Sequence, residues 1–331
     1  MKTDLRAIAL ALTLTTLVPA ATQMQAPTQM QAPTALPALH GEALAADAAR
    51  ERIVLFGGRT PRGWLSGTWE WDGRAWRRAV DSAASPPPRG GHALAYDASR
   101  RRIVLFGGMG GPSALYCDTW TYDGARWTPA DASPCFTDRM RNASLAFDSR
   151  NRRMLLAEGP AVADEVPRPL RLWEWKSDTW VLVDSLGPRR TGFSAVAFDD
   201  ARGVLVVPVL FGGPDAGVWE WKGRSWSHHR AAGPSTRQTY GLAYDARRRQ
   251  VVLVGGQGGR AGPYLDDEWT WDGAGWSQTT RPRETIPAGR GGATLLRDAT
   301  SEGLLYFGGY SDSLLTDFWA LDARGWRQLP R

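Results

Sequence analysis

Histidine and cysteine are scarce in this chain of 331 residues: there are four histidines, His40, His92, His228 and His229, and two cysteines, Cys117 and Cys135. None of them has metal-ligand spacing with a further ligand pair, so no metal, no cofactor and no catalytic residue is expected. Long apolar runs are missing too. After the first twenty residues no stretch approaches the roughly 18 apolar residues of a membrane-spanning helix, so no transmembrane segment is expected in the mature chain. Charged residues make up only 22% against 43% hydrophobic, which places most of the chain among globular rather than disordered sequences. The formal charge of +6 tilts weakly toward acidic partners.

The N-terminus has the layout of an export signal. Lys2 and Arg6 form a positive n-region, and "AIALALTLTTLV" from Ala7 to Val18 is an apolar h-region. Val18 and Ala20 suit cleavage after Ala20. The expected divisions are therefore a signal peptide over 1–20, a flexible Pro/Gln/Thr tether over 21–38 containing "TQMQAPTQMQAPT", and a folded domain over 39–331. Export would deliver the chain to the periplasm, the cell surface or the medium. It also permits a disulfide between Cys117 and Cys135, which flank the same repeat unit on one face.

Tryptophan and glycine are abundant, at 17 and 37, and they repeat. A Trp closes each of six units, at 76, 127, 180, 226, 276 and 326, with a mean step of 50. Five residues earlier stand Trp71, Tyr122, Trp175, Trp221, Trp271 and Leu321, and seven earlier Trp69, Trp120, Trp173, Trp219, Trp269 and Trp319. Upstream, an apolar run ends in a glycine pair: "RIVLFGG" twice, then "VLFGG", "VVLVGG" and "LLYFGG". The third unit has "MLLAEG" instead. A further short segment ends in Asp, as in "GEALAAD", "GHALAYD" and "YGLAYD". Each unit thus predicts four short strands, a to d, bounded by turn residues. Strand c, such as "TWEW", alternates so that its two tryptophans share a face, and Asp-Gly turns it into strand d.

Gly-Gly after an apolar strand, an aromatic pair and a Trp at fixed spacing, with a period near 50, resembles the kelch repeat. The resemblance spans about residues 41–330. It implies an all-β fold, a six-bladed kelch-type β-propeller of four antiparallel strands per blade, within the galactose oxidase central-domain-like superfamily. The repeated tryptophans are then packing between blades, with a sugar-stacking ladder as the alternative.

In such a blade the a–b and c–d turns share one face and the b–c and d–a loops the other. The a–b turns carry Arg50, Arg52, Arg100 to Arg102, Arg150, Arg152, Arg153, Arg202 and Arg247 to Arg249. They read as a basic rim for polyanions or as solvated turns. No aromatics interleave with them, so no nucleic acid is expected. The opposite face holds variable b–c loops with Trp64, Tyr116, Tyr264 and Tyr310, aromatics outside the repeat pattern. An arginine recurs before strand a at Arg89, Arg139 (or Arg141), Arg190, Arg237 and Arg290. In kelch propellers that bind acidic peptides, arginines here line the central mouth, and the resemblance implies the same candidates. The alternative is that each arginine holds an aspartate such as Asp118, Asp267 or Asp317. The first unit has Leu39-His40 there.

The expected function is an exported, monomeric binding module. Its partner would be a protein or glycan ligand, an acidic one if the arginines grip it, on the b–c/d–a face. The alternatives are a carbohydrate-active or oxidative enzyme of galactose-oxidase-like architecture, and a structural envelope or adhesion component. The copper set of galactose oxidase cannot be assembled from these histidines. The "GGMGG" and "GGQGG" stretches lead into strands rather than helices, which excludes a phosphate loop.

Overall fold

A computed structural model describes residues 36–79, 85–111, 114–130, 143–158, 167–190, 195–211, 214–259, 261–282, 286–298 and 300–330. The expected signal peptide and nearly all of the expected tether lie outside the described residues, as do Arg139, Arg141 and Cys135. The side chain of Arg190 is likewise not described.

The described chain forms six four-stranded antiparallel sheets. The first, blade 1, consists of Ala43–Asp47 (a), Arg52–Phe56 (b), Thr68–Trp71 (c) and Trp76–Arg78 (d), paired in the order a-b-c-d. The other five repeat this order. Their a strands are Ala93–Asp97, Ser144–Asp148, Ala197–Asp199, Gly241–Asp245 and Thr294–Arg297. Each a strand neighbours the next, and that of blade 6 meets that of blade 1, closing the ring. Every blade is built from one continuous segment, so neither terminus lends a strand to the other's blade.

Strand alternation builds the core. In blade 1, Leu44, Ile53 and Leu55 face blade 6, where they meet Leu305, Phe307 and Phe318. Ala45, Val54 and Phe56 face blade 2, against Ile103, Leu105, Tyr122 and Trp127. Successive side chains thus serve opposite inter-blade seams, the period-2 consequence of a strand buried on both faces. Leu39 is buried in the blade 1–6 seam and Leu36 packs beside it.

The tryptophans are inter-blade packing, as their spacing predicts. Trp175, Trp221 and Trp271 are buried almost completely. The strand-d tryptophans also reach back to the preceding blade. Trp127 Nε1 donates to Thr68 Oγ1, Trp180 Nε1 to Thr119 Oγ1 and Trp326 Nε1 to Glu268 Oε2, each at 2.9 Å. For these three strand-d tryptophans the neighbouring strand c supplies the partner that the indole N–H would lose on burial.

The glycine pairs have a backbone reason. Gly107 and Gly108 both hold positive φ, 70° and 95°, and a methyl on Gly108 would lie 2.8 Å from the Cβ of His92. Chain reversal after strand b therefore needs a residue without a side chain.

Candidate functional site

The a strands leave a central channel of about 1270 Å³. At the b–c/d–a end its mouth includes His40, Glu42, His92, Thr239 and Tyr310. Around that mouth the b–c connections of blades 1 and 2 form short ribbons, Arg59–Thr60 with Gly63–Trp64 and Met109–Gly111 with Ala114–Leu115.

Arg89, Arg237 and Arg290 do not line this mouth as free cations. All three are buried, at 0–1% exposure. Arg89 donates Nη1 and Nη2 to the two carboxylate oxygens of Asp118, at 2.6 and 2.8 Å, and Nη1 also to the Gly107 carbonyl at 2.9 Å. Arg237 does the same with Asp267 and the Gly255 carbonyl, and Arg290 with Asp317 and the Gly308 carbonyl. The remaining Nε donors go to Pro87, Ser235 and Ala288 carbonyls. Of the two readings of these three arginines, these contacts are those of the aspartate-holding one. The guanidinium groups are spent inside their own blades, and with them goes the argument for an acidic ligand.

The aspartates complete the clamp. Asp118, Asp267 and Asp317 each accept the indole N–H two residues on, from Trp120, Trp269 and Trp319, at 2.6–2.7 Å. Burial alone would raise these carboxyls; the paired arginine and the indole outweigh it and hold all three below the usual range. One clamp therefore fixes the d–a loop, the glycine turn and strand c of a single blade. Blade 1 has neither member, with Leu39 and Gly67 in their places. In blade 3, Glu158 takes over: it accepts from Arg171 and from Trp173 Nε1. The departure "MLLAEG" is thus a substitute carboxylate.

The basic a–b turns are also self-contained. Asp47 caps its turn and accepts Arg50 Nε at 2.7 Å, while Arg50 Nη1 reaches Glu70 at 2.6 Å. Arg153 bridges Asp148 and Glu174, Arg202 bridges Asp199 and Glu220, and Arg248 bridges Asp245 and Glu268. Arg100 pairs with Asp97 and Arg247 with Asp245. Of the two readings of this rim, the structural one accounts for these six.

The loop aromatics are different, because each is only half-buried. They sit on glycines. A methyl on Gly90 would lie 2.7 Å from the Trp64 ring, and one on Gly110 would lie 2.6 Å from the Tyr116 hydroxyl. Trp64 stands 5.3 Å from the Arg59 guanidinium, and Tyr116 covers Arg89 at 4.1 Å. Tyr264 and Tyr310 meet edge to face at 5.6 Å, beside Gly291. Burial raises the Tyr310 hydroxyl above its ordinary range, and the Thr239 hydroxyl partly offsets this. Tyr264 and Tyr310 are brought together; Trp64 and Tyr116 belong to blades 1 and 2.

Three polar residues at the mouth escaped sequence reasoning. Neither Glu42 carboxyl oxygen and neither His92 ring nitrogen has a hydrogen-bond partner, and both side chains are buried. Burial pushes Glu42 up to about 8. Burial, with Arg89 adding to it, pushes His92 down to about 3. Thr239 holds φ 56°. The aligned "GE", "GH" and "TY" at the start of strand a carried the signal, as polar residues heading an otherwise apolar strand.

Cys117 is half-buried ahead of strand c of blade 2, and its expected partner lies outside the described residues. Among the described residues no group of His, Cys, Asp and Glu is arranged to hold a metal, and no helix is long and apolar enough to cross a membrane.

No family model and no curated protein matches the chain. Among solved structures it is similar to that of YjhT, a kelch-like β-propeller, with a TM-score of 0.65 and 13% identity over 90% of this chain and 99% of that one. At that identity the likeness speaks to the fold, and it agrees with the repeat: the chain folds as a six-bladed β-propeller.

Proposed function

We propose that the protein is an exported, monomeric binding module that recognises a protein or glycan ligand on the b–c/d–a face. The observation that carries this reading is the set of half-buried aromatics on that face, Trp64, Tyr116, Tyr264 and Tyr310, each seated on a glycine or on its neighbour. Rigid aromatic rings present a large contact area at low entropic cost. The arginine–aspartate clamps beneath serve as positioning groups that keep the loops in place. Export rests on the n-region and h-region of residues 1–20, and the Cys117–Cys135 disulfide would tie the loops of blade 2 in an oxidising compartment. Arg190 and Arg139 keep their candidacy as ligand contacts.

The test is capture from cell-envelope and polysaccharide extracts, using the mature chain beside a Tyr264→Ala/Tyr310→Ala variant shown to be folded. Loss of a specific partner in the variant supports the reading. Equal capture by both sends the site elsewhere.

A further inference from the structure

The central channel has features that inter-blade packing alone does not demand. Its lining includes a small side chain from the a strand of five blades, Ala43, Ala95, Ala146, Ala243 and Thr294, and Ala195 just ahead of the a strand of blade 4, among larger apolar residues. Between the mouth and the turn-side end, the described lining carries no formally charged side chain. The turn-side end is crossed by an ion pair. Arg297 of blade 6 reaches Asp200 of blade 4 at 3.5 Å, and Asp200 also accepts the Ser149 hydroxyl of blade 3 at 2.6 Å. These contacts link blades that are not all sequence neighbours, and so they span the opening rather than close a seam.

At the mouth stand polar groups without partners. Glu42 and His92 are buried, line the channel and make no hydrogen bond through their carboxyl oxygens or ring nitrogens. Near neutral pH neither carries a charge, because burial raises Glu42 to about 8 and lowers His92 to about 3. Thr239 is the sharpest anomaly. It occupies the position before the first a-strand seam residue that is Gly41, Gly91 and Gly292 in blades 1, 2 and 6, with φ of 70°, 64° and 69°. Thr239 holds the same left-handed conformation, at φ 56°, although β-branched residues rarely adopt it. Its hydroxyl is buried, lies close to Gly291 and faces the Tyr310 hydroxyl at the channel mouth. A strained residue kept where glycine would be free of strain points to a use for the side chain.

We propose that the channel is a binding site for a neutral, mainly apolar small molecule with one hydrogen-bonding head. The apolar body would lie along the small-residue walls, and the head would engage Thr239, Glu42 or His92 at the mouth. The volume of about 1270 Å³ accommodates a molecule of a few rings, since ligand pockets are typically about 300–1,000 Å³. An anion is disfavoured because the described arginine of the lining, Arg297, sits at the turn-side end paired with Asp200, and the buried arginines of the loop face are already paired. Tyr310 is shared between this mouth and the loop-face aromatics, so the channel is tested with Ala95, Ala195 and Thr239, which the loop-face reading does not use.

The experiment is fluorescence titration of the mature protein with a matched pair of dyes. N-phenyl-1-naphthylamine is neutral, with an apolar body and one N–H. 1-Anilinonaphthalene-8-sulfonate has the same rings and a negative charge. The neutral dye should bind saturably with one-to-one stoichiometry, and the sulfonate at least tenfold more weakly. Ala95→Phe and Ala195→Phe fill the channel at half-buried lining positions, and each should weaken the neutral dye at least tenfold while the circular-dichroism spectrum stays that of a folded β protein. Thr239→Gly, which relieves the backbone and cannot unfold the blade by crowding, should weaken it at least threefold with an unchanged or higher unfolding midpoint. The proposal is overturned by the absence of saturable neutral-dye binding. It is equally overturned by sulfonate binding as tight as the neutral dye, or by neutral-dye binding that survives Thr239→Gly and whichever channel-filling variant folds.

Discussion

Replacing Arg237 by Met separates the two roles that an arginine before strand a can have. In the structure the guanidinium is buried, with Asp267 18% exposed, and its donors reach both Asp267 oxygens, the Gly255 carbonyl and the Ser235 residue. Met fills similar volume but leaves the Asp267 carboxylate with only the Trp269 indole at 2.7 Å. Removing one partner of a buried pair strands the other charge, at a cost of about 3–5 kcal/mol. For roughly 300 residues at about 2.1 cal/mol/K per residue, the unfolding entropy is near 0.6 kcal/mol/K, so the midpoint should fall by about 5–8 °C. The assay is thermal unfolding of Arg237→Met, Asp267→Leu and the double variant. The double variant should recover a good part of the loss, because no unpaired charge is left behind. A midpoint within a degree of wild type for Arg237→Met, together with lost partner capture, would refute the clamp and restore Arg237 as a ligand contact.

The remaining predictions address other parts of the ring. Trp271→Ala, at 0% exposure and hydrogen-bonded to Glu220, should cost about 3–5 kcal/mol by denaturant titration, and a midpoint near wild type would revive a sugar-stacking role. Glu42 is raised by burial from 4.5 to about 8, so its contribution is complete below pH 4.5 and is lost as pH rises toward 8. The loss amounts to at most about 5 kcal/mol at about 1.4 kcal/mol per pH unit, and Glu42→Gln should flatten the stability profile over that window. His92 is lowered from 6.5 to about 3, so stability should drain as pH falls through that interval, and His92→Gln should remove that slope in the same acid titrations. Cys117→Ser should lower stability by about 3 kcal/mol if the disulfide forms, and peptide mapping without reductant should find Cys117 joined to Cys135.

The fold was legible because inter-blade packing repeats the same demands six times. Trp at every strand d and a glycine pair after nearly every strand b are demands of geometry, and each copy reinforces the others. Blade closure was not legible, since it depends on which a strand meets which; the structure pairs blade 6 directly with blade 1. The site was read less well. Arginine before strand a looks the same whether it faces a ligand or an aspartate, and only the partner at Asp118, Asp267 or Asp317 decides. The deciding signal was present, an Asp two residues before the strand-c Trp in the blades that carry the clamp. The left-handed backbone at Thr239 recurs at Gly41, Gly91 and Gly292, so the aligned repeats carried it, whereas the burial of Glu42 and His92 follows from closing the ring, which no single repeat encodes.

The most direct test of loop-face recognition is a hydrogen-exchange footprint of the captured partner on the mature protein. Protection is expected in the b–c and d–a segments, at the Arg59–Trp64, Met109–Gly111 and Gln257–Tyr264 peptides and at the short peptides holding Gly291 and Tyr310. Protection confined to the a–b turns around Arg50, Arg100 and Arg248, with the mouth peptides unchanged, would contradict the account and place recognition on the opposite face.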